Sequence, residues 1–275
     1  MRKYLRKNRK IRTAASLAVT VVLSVVIFLL FLCIELWIGY FSTHLFRESL
    51  RVSGYATEME ADMLDKQKEL FASYGLPEEL TEEIWGESKA YLAFYQYLDS
   101  GEIKEDAGDF GQQEVLEAYL DGQEVYETEG VRKAIENVAA ESKEICKRYV
   151  YPSFVSGYQR FLQERKPAFI GMIAVSAIIG VCCAAFLFYS YHCRHHALYY
   201  ITGSFFTAVI WNLAATAALH MGGWFSAAGT ESVYYQGFLD IFKNRGIYPW
   251  YIVCAVGAAV TILLLLVSIR MRNRK

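Results

Sequence analysis

The sequence predicts an all-α, polytopic membrane protein: four transmembrane helices plus a helical extracytoplasmic domain between helices 1 and 2. Three observations carry that prediction. Four apolar runs are each long enough to cross the ~30 Å hydrocarbon core of a bilayer at a rise of about 1.5 Å per residue. Between the first and second runs lies a charged stretch whose apolar residues recur at helical spacing, with almost no period-2 alternation. Finally, twelve of the fourteen basic residues outside that stretch segregate to one side of the spans, Lys243 and Arg245 being the exceptions. A hydrophobic content of 54% could by itself describe a rich globular core, but its concentration in four blocks decides otherwise.

Residues 1–13 form a basic leader with seven Lys and Arg, and residues 14–40 form the first span, in which Glu35 is the only charged side chain. Leader and run together resemble a secretory signal. The run is longer than the usual apolar region of such a signal, and no small-x-small cleavage pattern follows it, so an uncleaved signal-anchor is expected.

Residues 41–167 form the acidic helical domain. Leu45, Val52, Tyr55, Met59, Met63, Leu70 and Phe71 recur at helical spacing without a proline, which predicts that the first helix continues past the membrane to Tyr74. Gly75 suits a left-handed helix stop, and Pro77 the first turn of the next helix. Shorter helices are expected over residues 78–85, 87–98 and 112–120, with 103–111 as loop. The strongest pattern lies in residues 129–150, where Val131, Ile135, Val138, Ala139, Ile145 and Tyr149 form one stripe; Pro152 interrupts it.

The second span is expected within residues 168–190, the third within 198–219 and the fourth within 250–269. Tyr189, Tyr191, Tyr199 and Tyr200 at one boundary, and Trp37, Tyr40, Trp224, Tyr248, Trp250 and Tyr251 at the other, form an aromatic belt. Small residues at four-residue spacing (Ser176, Gly180 and Ala184; Ala255 and Ala259) favour a packed bundle. Residues 220–249 read as an external loop holding an amphipathic helix at the membrane surface. Thr230 would cap that helix and Gly246 would stop it.

The leader, the 191–197 loop and the 270–275 tail together hold twelve Lys and Arg and no Asp or Glu. The positive-inside rule places all three in the cytoplasm, with both termini inside and 41–167 and 220–249 outside a multi-pass cell-membrane protein. Cysteine usage does not describe a disulfide scaffold, because Cys146 alone falls in the large external region.

No Walker A loop, H-E-x-x-H, G-x-S-x-G or G-x-G-x-x-G is present, so a non-enzymatic protein without a cofactor is expected. The Glu82–Glu83 pair is similar to the paired glutamates of intramembrane prenyl-protein proteases, but Glu87 stands where that pattern requires arginine. Tyr191-His192-Cys193-Arg194-His195-His196 offers four nitrogen or sulfur donors, although a tight turn gives poor control of tetrahedral geometry. The membrane-site candidates are Glu35, Asn212 and His220. Glu35 lies about 34 Å from Arg12 by helix rise, near the outer interface, where His220 should also sit. Asn212 is deeper and suits a helix-to-helix hydrogen bond.

Residues 41–167 hold 26 Asp and Glu against 14 Lys and Arg, a net charge of −12. Such a field favours a cationic ligand or a protein partner and no nucleic acid; solvated helix faces explain the same numbers. Glu102, Glu105, Asp106 and Asp109 lack the spacing of an EF-hand calcium loop. Nothing in the sequence sets the oligomeric state.

The segments Tyr74-Gly75-Leu76-Pro77, Tyr97-Leu98 with Gly101-Glu102, and Tyr149–Tyr151 with Pro152 ahead of the second span carry a resemblance. The chain resembles an uncharacterised family of four-span membrane proteins from Gram-positive bacteria with a helical extracytoplasmic domain after the first span. That resemblance implies the architecture and no activity. In topology alone the chain is also similar to permease-like subunits of cell-division and macrolide-type ATP-driven complexes, which implies a transport or mechanotransmission role. The 191–197 loop is short for the coupling helix such subunits present to an ATPase.

The functional expectation is an integral membrane protein whose external domain binds, senses or scaffolds a partner at the cell surface.

Overall fold

The structure, a computed structural model, describes residues 2–86, 88–103, 107–121, 129–191, 194–222 and 232–273, with side chains from residue 13 onward. Every regular element among the described residues is a helix: α1 (Arg2–Ile38), α2 (Thr43–Val52), α3 (Tyr55–Ser73), α4 (Glu79–Trp85), α5 (Lys89–Ser100), α6 (Gln112–Asp121), α7 (Glu129–Val150), α8 (Ser153–Ser190), α9 (Arg194–Met221) and α10 (Val233–Asn273). Four of them, counting Thr13–Ile38 of α1 with α8, α9 and α10, are long and apolar enough to cross a membrane. The chain is a multi-pass membrane protein. It divides into a membrane unit (Met1–Phe46, Glu164–Gly229 and Leu239–Lys275) and a helical domain (Arg47–Gln163 with Thr230–Phe238).

In the membrane unit, α1 packs along α9. Leu23 and Ile27 of α1 bury against Leu187, Ala197, Ile201 and Ala208, and Ser204 Oγ donates to the Thr20 carbonyl at 3.0 Å across that interface. Outward-facing apolar side chains such as Ile178 (63% exposed) and Val181 (70% exposed) are what a lipid-facing surface requires, since hydrocarbon imposes no penalty on them. Ser176 is buried, and a Cβ added at Gly180 would stand 3.6 Å from Val26, as on a small-residue face. In the fourth span the expected face is wrong. Ala255 and Ala259 are exposed, and the close approach is made at Gly257, where an added Cβ would stand 2.9 Å from Val209 and 3.1 Å from Phe31.

Two expectations about helix continuity are corrected. The first helix does not continue to Tyr74 but ends at Ile38. Ser42 then caps a new helix, its Oγ accepting from Leu45 N at 3.3 Å. A second break follows at Gly54, whose φ of 70° is left-handed and cannot continue a right-handed helix. Conversely, residues 233–246 are not a separate surface helix. They open α10, which runs unbroken through Pro249 to Asn273. Gly246 does not stop a helix. It lets α10 meet the ring of Tyr40, which occupies the space a Cβ would take. Thr230 and Trp224 lie outside the described residues.

In the helical domain, α3 and α7 pack together, with α4, α5 and α6 arranged around them. Met59, Met63 and Phe71 of α3 are fully buried, as are Cys146 and Val150 of α7. Val52 departs from the expected stripe at 48% exposed, because α2 is a separate helix that buries Leu50 instead. The Gly75 stop is present: its φ is 72°, and Leu76 N reaches back to the Phe71 carbonyl at 2.9 Å. Pro152 separates α7 from α8, whereas Pro167 lies inside α8.

Candidate functional site

Among the polar clusters of the described residues, two stand out, one in each unit. In the membrane unit, Glu35 sits one turn before the end of α1, Asn212 and Thr216 lie one turn apart on α9, and Cys254 lies on α10. Glu35 and Asn212 are completely buried. Asn212 Nδ2 donates to Glu35 Oε1 and also stands 3.3 Å from Cys254 Sγ. Thr216 Oγ1 donates to the Asn212 carbonyl at 2.8 Å, one helical turn back. Two acceptors, Glu35 Oε2 and Asn212 Oδ1, are buried without a hydrogen-bond partner.

The sequence candidates therefore separate. Glu35 and Asn212 meet, 177 residues apart, and Asn212 makes a helix-to-helix hydrogen bond. The Glu35 side chain is buried among the helices rather than solvent-exposed, and His220 is exposed near the end of α9, one turn beyond Thr216. Cys254 and Thr216 were not singled out by sequence. An apolar span tolerates Cys and Thr anywhere, so neither carries a signal.

His192, Cys193, Glu105 and Asp106 lie outside the described residues. Among the described residues no group of three His, Cys, Asp or Glu is placed to hold a metal. Asp109 is occupied: it accepts from Lys143 Nζ at 3.0 Å and from Gly111 N at 3.1 Å. The Lys143 ammonium and then the Gly111 amide hold its carboxyl below the usual range.

The second place is a cleft of ≈ 570 Å³ in the helical domain, between α3, α7 and the first turn of α10. Tyr55, Tyr149 and Tyr234 bring aromatic surface to it. Lys66, Glu141, Glu144 and Arg148 bring two charges of each sign. Asp62 ties two of the tyrosines together, its Oδ2 accepting from Tyr149 Oη at 3.1 Å and from Tyr234 Oη at 3.3 Å. Tyr55 is braced by Phe94, Phe154 and Tyr234, at centroid distances of 5.4, 5.6 and 5.2 Å. Burial pushes the Tyr149 phenol up to about 12, and the Asp62 carboxylate beside it adds to the shift. A preformed, mixed-charge cleft with aromatic walls has the character of a binding site. Sequence reading placed Tyr55 and Tyr149 on helical stripes but missed the cleft. Its third tyrosine comes from a segment 172 residues beyond Asp62, and no local pattern announces that meeting.

Compared with family models, curated proteins and solved structures, the chain matches none.

Proposed function

We propose that this protein is a non-enzymatic, multi-pass protein of the cell membrane, with both termini cytoplasmic. Its helical domain is external and holds a peptide segment of a partner protein in the tyrosine-walled cleft. The cleft carries the reading. Its aromatic surface suits an apolar or basic side chain. Glu141 and Glu144 offer carboxylates to basic groups, and Arg148 offers a bidentate donor to acidic ones. The net charge of −12 over residues 41–167 would steer a cationic segment toward the domain. The twelve basic residues in the leader, the 191–197 loop and the tail support the orientation. The alternative, a transport-complex subunit, would have to contact its ATPase through the basic leader, since α8 ends at Ser190 and α9 begins at Arg194.

The test uses the full chain in intact cells, with a photoreactive residue replacing Ile145 in the cleft and, as control, Arg132 on exposed α7 surface. A discrete crosslinked product from position 145, absent from position 132 and lost on Tyr149→Ala, is expected. Equal crosslinking at both positions, or none at 145, defeats the cleft reading. Orientation is checked separately. Cysteine at exposed Glu69 should react with an impermeant thiol reagent on intact cells, and Cys193 should react only after permeabilisation. The reverse pattern overturns the orientation.

A further inference from the structure

The membrane unit encloses a carboxyl group for which the described residues supply no counter-charge. Glu35 is fully buried, and none of the ion pairs among the described residues includes it. The groups facing it are few. From α9 come Asn212 and Thr216, neither of which titrates. From α10 comes the Cys254 thiol, which contacts Asn212 and Thr216 and interacts electrostatically with the Glu35 carboxylate. On α1 itself Cys33 is turned toward Met172 of α8, with Sγ 3.4 Å from Sδ. Among the described residues no Lys, Arg or His makes a hydrogen bond or ion pair with the cluster.

A single amide donor cannot repay the desolvation of a full negative charge buried in this way. The unpartnered oxygens make the deficit specific. Glu35 Oε2 and Asn212 Oδ1 both accept, both are buried, and neither has a donor. One positive charge at Glu35 Oε2 would neutralise the carboxylate and supply that oxygen's missing partner.

We propose that Glu35 and Asn212 form a binding site for a singly charged cation inside the membrane unit, a proton or an alkali ion, held at Glu35 Oε2 and Asn212 Oδ1. The donor set excludes the alternatives. One carboxylate cannot balance a divalent ion, and hard divalent ions need several carboxylates or waters. One thiol without histidine does not make a zinc or copper site. Ionisable groups within membrane spans commonly mark ion or proton sites, and this one is already paired with a polar side chain from another helix.

The test measures thermal unfolding of the full-length protein in lipid nanodiscs, in two arms. In the first, sodium chloride replaces choline chloride at constant pH and ionic strength. In the second, pH varies in choline chloride alone. Wild type and Glu35→Gln are compared in both, so that titration of the other carboxyl groups cancels. A bound cation stabilises by mass action, so the wild-type midpoint should rise by roughly 3–5 °C per tenfold increase in free ligand above its dissociation constant. Glu35→Gln, a neutral isostere, should lose that response. A sodium response identifies an alkali ion, and a response confined to the pH arm identifies a proton. Asn212→Leu, which removes both Oδ1 and the Nδ2 donor to Glu35 Oε1 but keeps the carboxyl, should weaken a sodium response and move a proton response to higher pH; it serves if Glu35→Gln does not fold. If wild type and the variants respond alike in both arms, the site does not exist.

Discussion

Replacing Met59 or Ile135 tests whether the packing of α3 on α7 holds the helical domain together. Met59 is fully buried and Ile135 is 5% exposed, on the two helices that form the centre of the domain. Truncation of either to alanine removes buried methylene groups and leaves a partly collapsed cavity, a loss of about 2–5 kcal/mol. A domain of this size is stable by roughly 6–19 kcal/mol at 0.05–0.15 kcal/mol per residue. Each alanine variant should therefore stay folded but open more often. At about 1.4 kcal/mol per factor of ten, cleavage through the open state should accelerate roughly 30-fold at the low end of that loss. Aspartate at either position adds an uncompensated buried charge, several kcal/mol more, which brings the total into the range of the whole stability. The assay is limited proteolysis of the full-length protein in nanodiscs, following loss of fragments from residues 47–163 while the spans remain protected. Arg132→Ala removes a surface pair with a 3.8 Å separation and should change the rate little. If Met59→Ala and Ile135→Ala are both cleaved at the wild-type rate, α3 and α7 do not hold the domain and the packing argument is wrong.

Two further outcomes are expected. Gly39→Ala places a Cβ 2.6 Å from the Gly246 carbonyl oxygen, a backbone atom of α10 that cannot rotate away. It should cost about 1–3 kcal/mol as overpacking. Gly171→Ala, in open space on α8, should be neutral or slightly stabilising through helix propensity. Equal midpoints for the two variants in nanodiscs would remove the contact of Gly39 with Gly246 of α10. The helical domain should also lose stability in alkali. Burial lifts the Cys146 thiol from its ordinary 9.0 to about 12, and burial with Asp62 lifts Tyr149 from 10.0 to about 12. Both groups hold protons more tightly folded than unfolded, so their contribution is complete below pH ~9 and lost as pH rises toward about 12. Denaturant midpoints followed by Trp85 fluorescence should fall across that window, less steeply in Tyr149→Phe; a flat profile contradicts the burial of these groups.

By itself the sequence determined the features that are local. Hydropathy sums over some twenty consecutive residues, so the four spans were legible without any tertiary knowledge. The stop at Gly75 was legible for the same reason, since a left-handed residue and a nearby proline act within one turn. The stripes of α3 and α7 were legible from their period, although the period alone did not show where a helix breaks. Ser42 and Gly54 end and restart the chain through caps and dihedrals that hydrophobic spacing ignores.

Only the tertiary structure decided what meets what. Gly246 has the chemistry of a helix stop, but α10 continues because its place is filled by the Tyr40 ring rather than by a turn. Gly257, and not Ala255 or Ala259, became the contact face of the fourth span, since helix rotation follows packing against Val209 and Phe31. Glu35 could be read as an isolated carboxyl near a membrane surface; its partner lay 177 residues away on α9. Tyr234 could be read as part of a surface helix, and it joined Asp62 across 172 residues. Local free energies choose helices, spans and caps, whereas these meetings follow from the geometry of packed helices, whose pairing is not encoded in any short window.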